Sequence, residues 1–131
     1  MGCECICQCR GQGLIEEMDP AEHYFHPLEL HLKSGEVLRD SYFLLRMGGL
    51  LEGIVPEESQ VGEHYIDGKF IGYQRSAVRP KITWRSSAIE GRHFWMDKHF
   101  KHNIYCSDAF MAELKRPNIG HFRPIPSFIA N

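Results

Sequence analysis

Apolar and polar residues alternate most regularly in the segment YFHPLELHLKSGEVLRDSYFLLRM, residues 24–47. Leu28, Leu30 and Leu32 share one parity, and Glu29 and His31 take the other, which is the period of a strand with one buried face. Ser34-Gly35 supplies a turn and Val37 to Met47 resumes the extended pattern. The segment therefore predicts a β-hairpin whose first strand starts just past Pro27. An acidic, loop-like connector with a short apolar patch, GGLLEGIVPEESQVGE, comes next. Within HYIDGKFIGY, Asp67-Gly68 sits between two apolar runs. A two-residue type I′ turn needs positive φ at both central positions, so this pair is the strongest hairpin signal in the chain.

Further along, Lys81 to Ala88 reads as a strand, Glu90-Gly91 as a turn, and the residues through Trp95 as a second extended piece. Ile104 to Cys106 reads as a short buried strand. Ser107 then suits an N-cap, Asp108 favours the first helical turn electrostatically, and Phe110, Met111 and Leu114 fall on one helical face. Lys115 and Arg116 suit the helix end and Pro117 stops it, so the helix is predicted over about 108–116. Gly120 turns the chain into HFRPIP, an edge strand limited by its prolines. The elements add up to an α+β fold: one small domain, mainly antiparallel sheet with hairpins, and one C-terminal helix packed on it.

The pattern breaks down only at the start. MGCECICQCRG puts Cys3, Cys5, Cys7 and Cys9 at every second position, and GQGLIEEMDPAEH after it has no clear period. Residues 1–19 are therefore read as a poorly ordered cysteine-rich leader, and 20–131 as the domain. On a strand, alternate thiols stand about 6.5–7 Å apart. That is too far for neighbours to converge on a zinc with Zn–S near ~2.3 Å unless the backbone folds back. The spacing also lacks the C-x₂-C of zinc knuckles. Gly2 with Cys3 would offer two lipid anchors, but Ile6 stands where the myristoylation pattern wants Ser or Thr.

Composition changes this picture little. A chain of 131 residues, 43% hydrophobic and 24% charged, can build a core without disulfides or metal. No stretch reaches the ~20 apolar residues that span a bilayer, and the leader lacks the apolar run of a secretory signal. A cytoplasmic location with reduced thiols is expected, with Cys106 a small core residue. The net charge of −2 hides an asymmetry: residues 1–67 carry thirteen acids and four bases, a net −9, and residues 68–131 carry four acids and eleven bases, a net +7. Such a split marks a polar partner surface or two halves that complement each other.

Candidate chemistry is sparse. His93, His99, His102 and Cys106, with Asp97 among them, would present one ligand face if 99–106 were helical, but Asn103 and the run before Cys106 argue against a helix. No nucleophile elbow, P-loop, dinucleotide fingerprint or H-E-x-x-H occurs, so neither an enzyme nor a cofactor is expected. Arg75, Arg79, Lys81 and Arg85 with Trp84 make a basic segment with an aromatic, and on a strand from Lys81 the side chains of Lys81 and Arg85 share a face, which allows a small phosphate-binding patch. The negative overall charge and the lack of a nucleic-acid motif argue against a nucleic-acid partner.

GRHFWMDKHFKHNIYCSDAFMAELKRPNIGHFRPIP resembles the closing signature of a bacterial immunity-protein family of polymorphic toxin systems, the eleventh of the numbered immunity series. Gly91, Phe94, Trp95, Ser107, Asp108, Leu114, Gly120 and Phe122 stand at the matching places. The hairpin segment from Phe25 is similar to that family's early hairpin, so the resemblance covers roughly residues 25–126 and leaves out the cysteine leader. It implies a small non-enzymatic cytosolic protein that binds a cognate toxin, often a nuclease, and blocks it. Glu52, Glu57, Glu58, Glu63 and Asp67 would then face a basic nuclease cleft, since complementary charge speeds encounter and sets specificity. A metal- or thiol-binding protein using the four leader cysteines and the His-rich segment 93–106 is the alternative that stays open.

Overall fold

The computed structural model describes residues 4–114 and 128–130. Along the chain run β1 (Glu4–Gln8), α1 (Cys9–Met18), β2 (Tyr24–His31), β3 (Val37–Arg46), β4 (Val61–Ile66), β5 (Lys69–Arg75), β6 (Thr83–Arg85), α2 (Ser86–Ile89), β7 (Phe94–Asp97), β8 (Phe100–Cys106), α3 (Asp108–Leu114) and β9 (Phe128–Ala130). The strands form four small sheets: β1-β3-β2, β4-β5, β6-β9 and β7-β8. Among the described residues every strand pair is antiparallel except β6 with β9. This is the expected α+β class, with two helices that the sequence reading did not assign.

Residues 4–18, expected to lie in the leader, form β1 and the first of those helices. β1 pairs with β3 from Glu4↔Arg46 to Gln8↔Tyr42, so Cys5 and Cys7 are ladder residues and Cys9 opens a helix. Helix α1 buries Ile15 in the core, with Leu14 and Met18 packed against the same cluster. Gly11 and Gly13 weaken its helical signature, and its apolar side is limited to Leu14, Ile15 and Met18, too short a stripe to show a period. Pro20 disfavours helical backbone at Asp19, the residue after Met18, and so ends it.

Of the two predicted hairpins, the first joins β2 and β3, but β2 starts at Tyr24 and runs through Pro27. The proline is accommodated because β2 lies at the edge of its sheet. A register shift between Leu28 and Glu29 breaks the alternation, and Leu32 falls outside the strand, exposed. The second hairpin turns at Asp67 (φ 50°) and Gly68 (φ 76°), the left-handed pair a type I′ turn requires. The expected strand over 81–88 is a three-residue strand followed at once by α2, because Ser86 to Ile89 coil to bury Ile89.

Strand β7 is the centre of the molecule. All four of its residues, FWMD, are buried, and they alternate between two apolar clusters. Phe94 and Met96 join Ile15, Leu45, Met47, Phe110 and Leu114. Trp95 joins Ile54, Ile82, Trp84, Ile89 and Phe100. A strand covered on both faces has no polar parity, and each large side chain it buries contributes about 1.5–3 kcal/mol. In the second cluster Trp84 meets Trp95 edge-on at 5.7 Å and Tyr105 at 4.7 Å between ring centroids.

Candidate functional site

The acidic connector is neither loose nor separate from the core. Leu51 brackets β7 through its backbone, its N–H donating to Met96 O at 3.2 Å and its carbonyl accepting from Lys98 N–H at 2.9 Å. On the other side, Arg85 N–H donates to Gly53 O at 2.6 Å and Val55 N–H to Thr83 O at 2.9 Å. Residues 51–55 thus lie between β7 and β6. The buried carboxylate of Asp97 closes the arrangement: Oδ2 accepts from Gly53 N–H (2.8 Å) and Ile54 N–H (3.3 Å), and Oδ1 from His99 N–H (2.8 Å). A buried acid that satisfies three backbone donors is an anchor for the loop and the β7-β8 turn.

Beside this anchor opens a cleft of about 340 Å³, lined by Glu52, Gly53, Ile54, Pro56, Glu57, Phe70, Tyr73, Arg85, Asp97 and His99. The β4-β5 hairpin is fixed over it at one point. Tyr73 N–H donates to His99 O at 2.8 Å, and a Cβ on Gly72 would meet that same oxygen at 2.7 Å. Gly72 (φ 147°) is therefore required both for its backbone angle and for the close approach. Phe70 packs against Tyr73 and His99, with centroids 5.2 and 5.0 Å away.

The electrostatics of this face are negative. Glu52 forms an ion pair with Lys98 and bonds His99 Nε2 at 3.0 Å, and these hydrogen bonds, Lys98 first, hold its carboxyl below the usual range. Burial pushes the Tyr73 phenol up, and the carboxylates of Asp97, Glu63 and Glu57 add to that against the opposing charge of Arg85. Tyr65 donates to Glu63 at 2.6 Å, and that acceptor holds its phenol above the ordinary value.

Of the five acids expected to face a partner, Glu52 and Glu57 line the cleft. Glu58 shares the short 3-10 turn Pro56–Glu58 with Glu57, Glu63 lies on β4, and Asp67 occupies the apex of the β4-β5 turn. Among the described residues Glu57, Glu58 and Asp67 form no ion pair, whereas Glu52 is committed to Lys98 and His99. Phe70 and Tyr73 are not among the candidates the sequence offers, and His99 is there only as a possible metal ligand. The apolar run after Asp67-Gly68 placed Phe70 on a strand, but nothing local shows that its ring stays outside the core.

The other candidates resolve differently. The segment from His99 to Cys106 is a hairpin turn and a strand, so His99 and His102 do not share a face. His93 Nδ1 bonds Ser107 Oγ at 2.7 Å, and His102 meets Phe100 edge-on, with ring centroids 4.9 Å apart. Among the described residues no three His, Cys, Asp or Glu side chains converge as a metal site would need. Burial, with Asp108 adding to it, pushes the half-buried Cys106 thiol up to about 11. Trp84, 1% exposed, cannot stack on a base, and that removes the aromatic from the basic segment Arg75 to Arg85.

The matched signature positions that the structure describes are structural. Gly91 turns with φ 73°, Phe94 and Trp95 fill the two clusters, and Leu114 closes the first. Ser107 caps α3 by accepting from Phe110 N–H at 3.1 Å, and Asp108 sits in the first turn. Gly120, Phe122 and the HFRPIP segment lie outside the described residues, as do Lys115, Arg116 and Pro117.

The domain these elements define is a small α+β scaffold that displays a carboxylate- and aromatic-lined face, and no helix among the described residues is long and apolar enough to cross a membrane. Searches among curated proteins and among solved structures returned no match. The sequence model of the Immunity protein family (Imm11) matches residues 9–126, and the chain belongs to that family. The match begins at the first residue of α1, sixteen residues before the segment that carries the resemblance, and so includes residues 9–19 of the expected leader.

Proposed function

We propose that this chain neutralises a cognate bacterial toxin, a nuclease fitting best, by direct contact and without chemistry of its own. The observation that carries the reading is membership of an immunity-protein family over nearly the whole chain. The acidic face supports it. Glu57, Glu58 and Asp67 stand exposed without ion-pair partners among the described residues, and a nuclease must present cations to its phosphate substrate. Asp97, the buried acid at the cleft, is saturated by three backbone donors, which suits a scaffold better than a general base. The protein would act in the bacterial cytoplasm, beside the toxin of its own polymorphic system.

Charge reversal tests the surface. Glu57→Lys with Glu58→Lys should weaken binding to the toxin encoded beside this gene by at least about tenfold and flatten its salt dependence, as expected for charges that steer association. Unchanged affinity and an unchanged salt slope would place the contact elsewhere.

A further inference from the structure

The tip of the β4-β5 hairpin carries large apolar side chains on both of its faces, and each of them stays more than a third exposed. Tyr65 and Ile66 are each 53% exposed, Phe70 37% and Ile71 49%. Tyr65 and Ile66 are consecutive strand residues, so they point to opposite sides. Tyr65 leans towards Phe70 across the ladder, with centroids 5.8 Å apart, on the side that continues to Tyr73 and His99. Ile66 stands opposite Lys69 on the other side. Ile71 is the unpaired residue where the register shifts. A core-facing strand would hide one of these faces, and a solvated one would be polar.

Two exposed apolar faces meeting at a turn suit insertion between walls better than packing on a flat surface. The turn itself carries the Asp67 carboxylate, with Glu63 behind it on β4 and Lys69 beside it. We propose, resting on the toxin-neutralising reading above, that this hairpin enters a cleft of the toxin with apolar walls and a cationic floor. Asp67 leads and meets the cation, and Ile66 and Ile71 pack with Tyr65 and Phe70 against the walls. Complementary charge selects the occupant, because a cleft shaped to hold phosphate offers cations at its base. The hairpin then occupies the ground the nucleic acid would take.

The test uses the purified full chain and the purified product of the adjacent toxin reading frame. The paired change Ile66→Ser and Ile71→Ser alters only exposed side chains, so the melting temperature should stay within a few degrees of the parent. Affinity should fall at least about 30-fold, the loss expected on truncating central contacts. Asp67→Asn should weaken binding a few-fold and reduce its salt dependence. Hydrogen exchange on the unaltered complex should show protection of residues 63–71. Full affinity of the paired variant, or no protection at 63–71, overturns the insertion. A parent protein that is a dimer and becomes monomeric in the paired variant also overturns it, since a second copy would then cover the hairpin. If the parent neither binds nor neutralises the toxin, the functional reading fails and this inference with it.

Discussion

Asp19 and Arg92, 73 positions apart, meet as a two-pronged ion pair: Arg92 Nε donates to Oδ1 at 3.2 Å and Nη2 to Oδ2 at 3.1 Å. The Asp19 side chain is fully buried and also accepts from His93 N–H at 2.8 Å, Phe94 N–H at 3.1 Å and His23 Nε2 at 2.8 Å. His23 Nδ1 accepts from Gly48 N–H at 3.1 Å, which assigns the ring proton to Nε2. Arg92 continues to Gly49 O at 2.7 Å and Phe94 O at 3.0 Å. The end of helix α1 is thus tied to the entry of the central strand and to the loop after β3. Asp19→Ala should cost about 3–5 kcal/mol, because it leaves a largely buried guanidinium and two backbone donors without their acceptor. Chemical denaturation checks this, and Asp19→Ala with Arg92→Ala should cost well under the sum of the single changes.

Burial alone would raise the Asp19 carboxyl, but the hydrogen bonds from Arg92, His93, His23 and Phe94 outweigh it and hold it below the ordinary 3.8. A carboxyl depressed in the folded state stabilises the fold above its unfolded pKa, and the contribution disappears as pH falls through the folded value. Melting temperature should therefore decline below about pH 4. In Asp19→Asn that decline should be shallower, from a lower starting point at pH 7.

The N-terminal segment carries more of the fold than its sequence suggested. Deleting residues 1–19 removes the β1 ladder, the Ile15 plug and the Asp19 hub together. That protein should show no cooperative melt. A sharp parent-like transition in the deletion would return the segment to the status of a leader.

Gly72→Ala tests how the hairpin is held. The added methyl would sit 2.7 Å from the His99 carbonyl at a φ of 147°, a strained angle for an L-residue. A cost of about 2–3 kcal/mol is expected, with faster amide exchange at Tyr73, whose N–H donates to that carbonyl. Gly62→Ala, where a Cβ meets nothing within 4 Å, is the control.

Cys106 should be nearly inert. With its thiol pushed up to about 11, only about a thousandth is thiolate at pH 8. Alkylation followed peptide by peptide should label Cys106 orders of magnitude more slowly than an unperturbed thiol, and unfolding should abolish the difference.

What could be seen in the sequence divides along physical lines. The β2-β3 and β4-β5 hairpins, the Ser107 cap and α3 were legible because turn chemistry and capping are local. Helix α1 was not, since its few apolar residues gain their meaning from Leu45, Phe94 and Phe110, far away in the chain. The two anchors, Asp19 and Asp97, were equally hidden: a buried acid is recognised by the backbone donors around it, and those come from other segments. Among the candidate acids, charge alone could not separate Glu52, already neutralised by Lys98, from Glu57 and Asp67. The exposed hairpin tip was read correctly as two strands and a turn. Its importance lies in what fails to cover it.

Co-expression of this chain with the toxin encoded beside its gene tests the central claim most directly. Cells making both proteins should survive about as well as cells without the toxin, and the two should co-purify as an equimolar complex. Killing that proceeds as fast with the chain present, while both proteins accumulate in soluble form, would contradict the account.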